Sequence, residues 1–189
     1  MITRFGIGAA VFALFLLATP GCFSEEPLSE ADKSMFLRAG ELARYGFKYQ
    51  NADGHEKFSK IRQLGGAYQL TYEFQAPAGE RPPLYIYANV FVAANASDAL
   101  MSSGAENIGL LIGLKASGIE EREVSLPGDE QGKLRVLVKG GKPLGNVYTV
   151  RDGRKTYALV LAGLYFEDPA DWKELLGPKL QQLAGYSPA

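Results

Sequence analysis

Residues 68–75 read Tyr-Gln-Leu-Thr-Tyr-Glu-Phe-Gln, a strict alternation of large apolar and polar side chains. A period of two suits a strand with one buried and one wet face, because a helix would scatter the same residues around its axis. A lone strand is not stable, so this stretch commits the chain to a sheet with a covering layer. Residues 84–93 supply a neighbour. There Leu84, Ile86, Val90 and Val92 point one way and Tyr85, Tyr87 and Phe91 the other. Apolar residues on both sides predict a central strand of a covered sheet.

Further strands are predicted at 57–63, 121–126, 133–139, 146–151 and 154–163. Asp152-Gly153 is the strongest local signal, since a two-residue Asp-Gly loop favours a tight hairpin. That loop sets Tyr148 opposite Tyr157, Thr149 opposite Thr156 and Val150 opposite Lys155. The face holding Val147, Ala158, Val160 and Ala162 is small and smooth, and suits a helix lying on it.

Helical spacing of Met35, Phe36, Ala39, Leu42 and Ala43 predicts a helix over 30–45, opened by Ser29-Glu30-Ala31-Asp32 as a capping-box variant. A second helix is predicted over 98–116, capped by Ser97-Asp98 and carrying Gly109 and Gly113 for close packing on the sheet. The last starts at Asp168-Pro169, with Trp172, Leu175, Leu176, Leu180 and Leu183 as its stripe, and Gly177-Pro178 is expected to kink or split it. The order α-β-β-β-α-β-β-β-β-α predicts an α+β domain, an antiparallel sheet of about six to seven strands flanked by three helices. The hairpin at Asp152-Gly153 and the closing amphipathic helix resemble the Mog1/PsbP-type fold over residues 70–183.

The first 22 residues carry a different kind of information. Arg4 is followed by an apolar run over 5–19, with Val11, Phe12, Leu14, Phe15, Leu16 and Leu17 at its centre, and then by Pro20-Gly21-Cys22 and a polar stretch. A basic start, a short apolar run and a small residue before a cut describe a secretory signal. Ala18-Thr19-Pro20-Gly21-Cys22 resembles the lipobox of bacterial lipoproteins. The resemblance implies cleavage before Cys22 by signal peptidase II and acylation of that cysteine. Residues 1–21 are then the signal peptide, 22–28 a short polar tether bearing the lipidated Cys22, and 29–189 one globular domain.

Cysteine arithmetic agrees: the chain holds one cysteine, so no internal disulfide forms, and an unpaired exposed thiol is a liability that acylation removes. Several acyl chains on one residue give stable anchoring, at about 0.8 kcal/mol per buried CH₂. The expected partner is a membrane, through this N-terminal lipid. Phe23 differs from the aspartate that retains lipoproteins on an inner membrane, so the expected address is the cell envelope, on an outer membrane facing the periplasm if the host has two.

Chemistry is sparse. Net charge is −1, and no basic patch or stripe points to nucleic acid. His55 is the single histidine and falls in an apparent turn. With one histidine and one cysteine no ordinary zinc set forms, Ser-x-x-Lys does not occur, and no cofactor is implied. No catalytic residue is assigned. An envelope hydrolase remains the alternative, if Glu73 meets Glu121 or Glu123 across the sheet as a carboxylate pair. The main expectation is a non-catalytic binding module for an envelope protein or a small apolar ligand. Its candidate residues are Tyr72, Tyr87, Asn89, Arg135, Tyr148 and Tyr157, with Asn146 at the rim. They make a cleft if the tyrosines share one uncovered face; otherwise their rings fill the core.

Overall fold

The computed structural model describes residues 24–25, 27–48, 55–62, 65–77, 83–99, 117–128 and 131–186. The leader, Cys22 and nearly all of the expected second helix lie outside the described residues. The strands are β1 (Ser24–Glu25), β2 (Glu56–Arg62), β3 (Tyr68–Gln75), β4 (Tyr85–Val92), β5 (Glu120–Val124), β6 (Lys133–Lys139), β7 (Lys142–Asp152) and β8 (Lys155–Ala162). Helix α1 (Glu30–Ser34) and a 3-10 helix (Ala39–Tyr45) precede β2, a helical turn begins at Ala96, and α2 (Pro169–Gly185) closes the chain. The fold is α+β.

Among the described residues one sheet holds every strand, in the order β1-β2-β3-β4-β8-β7-β6-β5, all antiparallel. Two meanders, β2-β3-β4 and β5-β6-β7-β8, join where β4 pairs with β8. The central position expected for residues 84–93 is therefore realised, and β3 buries alternate residues from Tyr68 to Phe74.

The main core lies on one face. Leu70, Tyr72, Phe74, Ile86, Val90, Leu134, Tyr148, Tyr157, Leu159 and Leu161 project from the sheet to meet the N-terminal segment and α2. On the opposite face Ile119, Leu137 and Val147 form a smaller cluster, with Leu144 and Val160 against it. Thus α2 covers the tyrosine face, and not the smooth face of Val147, Ala158, Val160 and Ala162.

Three local expectations are corrected. The helix over 30–45 is two short pieces. Met35, Phe36 and Leu37 are consecutive and all buried, which one helical stripe cannot achieve, so the chain leaves the helix between them and re-enters at Ala39. The capping box itself forms: Ser29 Oγ accepts from Asp32 N at 3.1 Å, and Asp32 Oδ2 accepts from Ser29 N at 2.9 Å.

The helical turn at Ala96 is capped by Asn95, whose Oδ1 accepts from Asp98 N at 2.9 Å, and not by Ser97. Finally, α2 is not split at Pro178. The carbonyl freed by proline belongs to Glu174, and both residues are exposed, so water replaces the lost bond. Gly177 eases the same point, since a Cβ before proline disfavours helical geometry.

The hairpin register also differs. The loop is Gly153-Arg154, with Asp152 opposite Lys155, so Tyr148 lies opposite Leu159 and Tyr157 opposite Val150. The shift is two residues, and an even slip keeps each side chain on its face. Part of the expected tether, Ser24–Glu25, is paired to the edge of β2.

Candidate functional site

A concavity lies beside α2, and three contacts hold that helix in place. Asn146 is fully buried on β7; its Nδ2 donates to Phe166 O at 2.9 Å, and its Oδ1 accepts from Phe166 N at 2.6 Å. This clasp fixes the segment that enters the helix. Asp168 Oδ1 then accepts from Ala170 N at 2.8 Å as the N-cap. At the far end Lys155 Nζ donates to Leu183 O and Ala184 O, each at 2.7 Å. A cation on the last carbonyls also complements the helix dipole.

Between the clamped helix and the segment after β5 runs a groove of about 270 Å³. Leu126, Pro127 and Gly128 form one wall, Trp172, Leu176, Gly177 and Leu180 the other, with Pro169 at one end and Tyr148 among the lining residues. The Trp172 ring packs 5.5 Å from Tyr148 and 5.8 Å from Phe166. Its indole is the chain's single tryptophan. Lys173 and Gln181 add polar side chains, and Lys173 is the one charge among the described lining residues. Aromatic and aliphatic walls with few polar groups are what small-molecule sites are made of.

A second concavity, of about 570 Å³, is bordered by Pro27, Asp32, Met35, Lys60, Gln181 and Tyr186 among others. Its buried charges and the Tyr186 phenol are already engaged. Asp32 accepts from Tyr186 Oη at 2.6 Å and from Ser29 N, and Lys60 Nζ stands 3.6 Å away. Burial raises the Asp32 pKa, but the hydrogen bonds from Tyr186 and Ser29 and the charge of Lys60 outweigh it and hold the carboxyl below its ordinary value. The same environment, burial first and the Asp32 carboxylate second, pushes the Tyr186 phenol up. A carboxylate so fully satisfied ties α1, β2 and the chain end together.

The six candidate residues are divided between the two faces. Tyr72, Tyr148 and Tyr157 stand on the α2 side and are fully buried. Tyr72 Oη donates to Glu56 Oε1 at 2.9 Å and accepts from Ala39 N at 3.0 Å, while Glu56 is ion-paired with Arg38. Burial, reinforced by the Glu56 charge, raises the Tyr72 pKa, and burial raises that of Tyr157. These two are core residues beneath the N-terminal segment. Tyr148 alone of the six reaches the groove.

Tyr87, Asn89 and Arg135 lie on the opposite face. Two strands separate β4 from β6, so Arg135 is roughly 14 Å along the sheet from Asn89. Arg135 Nη1 instead donates to Glu121 Oε2 at 3.2 Å on the neighbouring β5.

The carboxylate pair does not assemble either. Five strand spacings, on the order of 24 Å, separate Glu73 on β3 from Glu121 and Glu123 on β5, against the roughly 5–9 Å that glycosidic chemistry needs. His55 is exposed just before β2, as its turn context implied. Among the described residues no cluster of three metal-ligating side chains occurs, and no helix is long and apolar enough to cross a membrane.

Sequence reasoning had Trp172, Leu176 and Leu180 as a core stripe and missed the groove. The available signal was Pro127-Gly128, a strand-breaking pair just past the end of β5 at Val124 that lines the groove. No family model, curated protein or solved structure matches the chain.

Proposed function

We propose that this chain is a lipid-anchored protein of the cell envelope, held through acylated Cys22, and that its folded domain is a binding module and not a catalyst. On this reading the groove beside α2 takes a small apolar ligand, a single hydrocarbon chain ending in an acidic head. The anchor is supported by the basic-apolar-lipobox order of residues 1–22 and by the single cysteine. The ligand class is supported by the groove: apolar walls around Tyr148 and Trp172, with Lys173 as the one charge among the described lining residues. That last observation carries the proposal, because a hydrocarbon fills the walls and a carboxylate makes a charge-assisted hydrogen bond to the exposed Lys173 ammonium, which a neutral head does not.

Trp172 makes the test direct. Titration with decanoate should change its emission saturably, while decylamine should not. Lys173→Glu should weaken decanoate about tenfold, equivalent to about 1.4 kcal/mol, with an unchanged melting curve. A linear, non-saturating response to decanoate would remove the ligand proposal. Globomycin-sensitive processing and incorporation of labelled fatty acid test the anchor separately, and a Cys22→Ala protein should leave the membrane fraction.

A further inference from the structure

We infer that the acylated protein stands end-on on the bilayer, with the sheet end that carries the Gly65–Gly66 turn and the Gly153–Arg154 hairpin seated in a zwitterionic headgroup layer. This rests on the lipid anchor proposed above. The expected tether ran from Cys22 to residue 28. Pairing of β1 removes most of that length: Ser24 is opposite Arg62 and Glu25 opposite Ile61. Only Phe23 separates the acylated residue from the sheet. Two Cα steps span at most about 7 Å, and the polar layer of one leaflet is roughly 5–7 Å deep. Ser24 therefore sits no higher than the headgroups.

The direction of β1 sets the orientation. The chain enters at Ser24 and runs antiparallel to β2, so it leaves the bilayer along the strand axis and the strands stand upright. The register then defines what lies level with the anchor. Ser24 pairs with Arg62, Arg62 with Tyr68, Tyr68 with Val92, Val92 with Lys155 and Lys155 with Asp152. This row crosses the sheet from its edge to β7. The surface below it is tied together, since Arg154 Nη1 donates to Ala94 O at 2.8 Å and links the hairpin to the loop after β4.

Among the described residues its exposed charges are of both signs, Arg151 and Arg154 beside Asp98 and Asp152. Such a surface matches zwitterionic headgroups, and a predominantly cationic one would have pointed to anionic lipid. The Leu126–Gly128 wall of the groove lies at the same end, beyond the Val124–Leu134 pair.

The experiment uses the full acylated protein in phosphatidylcholine vesicles that contain a headgroup-attached quencher. Fluorophores are placed at Gly65→Cys or Arg154→Cys at the near end, and at Lys142→Cys or Tyr165→Cys at the far end; all four sites are exposed. Quenching should be several-fold stronger at the near pair. A long Gly-Ser insertion between Phe23 and Ser24 should abolish the difference while the protein stays on the vesicles. Equal quenching at all four sites in vesicle-bound protein would overturn the end-on placement and leave the anchor standing. A difference that survives the insertion would support the end-on seating through the surface itself and overturn the short tether as its cause. Protein that fails to stay on the vesicles would overturn the anchor itself.

Discussion

At the scale of single residues, Gly145 shows how tightly the sheet is built. A Cβ there would lie 1.9 Å from Leu161 O and 2.8 Å from Ala162 Cα. Both are backbone atoms of the paired strand, so no rotamer change relieves the contact. The position faces the irregularity between Leu137 and Val138, and glycine is expected where a bulge brings backbones together. Gly145→Ala should destabilise the fold by about 3 kcal/mol, read as a lower urea midpoint. Gly163 is similar, with φ 91° and Pro83 O 2.3 Å from its would-be Cβ, but there the left-handed backbone adds to the strain. Neither constraint is visible in sequence, because each is set by backbone of another segment, Leu161–Ala162 for Gly145 and Pro83–Leu84 for Gly163.

At the scale of elements, the N-terminal segment owes its place to two buried ionic groups as well as to Met35, Phe36 and Leu37. Glu56, bound by Arg38 and Tyr72, holds the start of the 3-10 helix. Asp32 joins α1 to Lys60 of β2 and to Tyr186 beyond α2. Because its folded pKa lies below the ordinary 3.8, Asp32 adds stability that is present above that value and is lost as pH falls through the folded one. Asp32→Asn should lower stability at neutral pH by about 2 kcal/mol, and its stability should fall less steeply than the parent's below pH 3.8. Parallel pH curves for the two proteins would contradict this. The capping role of Asp32 was legible, since Ser-x-x-Asp is a local pattern; its partners, 28 and 154 positions away in the chain, were not.

At the scale of the whole molecule, the β4–β8 junction sets which residues meet. It places β3 and β5 far apart, which dissolves the carboxylate pair, and puts Tyr72, Tyr148 and Tyr157 under a common cover. Burial pushes the phenols of Tyr72, Tyr157 and Tyr186 up strongly, and burial with the Glu73 charge pushes Tyr85 up to about 12. Raised phenol pKa values contribute stability that is complete below the free-tyrosine value of about 10 and is lost as pH rises above it. Alkaline unfolding should therefore begin above about pH 10, with the late phenolate absorbance and the loss of sheet dichroism changing together. Complete ionisation of every tyrosine with the sheet spectrum intact would be incompatible with this packing.

The chain's local patterns determined its elements. Alternation set β3, apolar residues on both sides marked β4 as central, Asp168-Pro169 opened α2 and Ser29 capped α1, because each depends on residues within one or two turns or a few strand positions. Strand order and the choice of covered face were decided only in the tertiary structure. The alternation of β3 and β4 states that one side is buried but not what buries it, and long-range pairing depends on the combined burial of all eight strands. The groove beside α2 belongs to that second class: Leu126, Pro127 and Gly128 face the Trp172 stripe only once the sheet has set β5 beside α2.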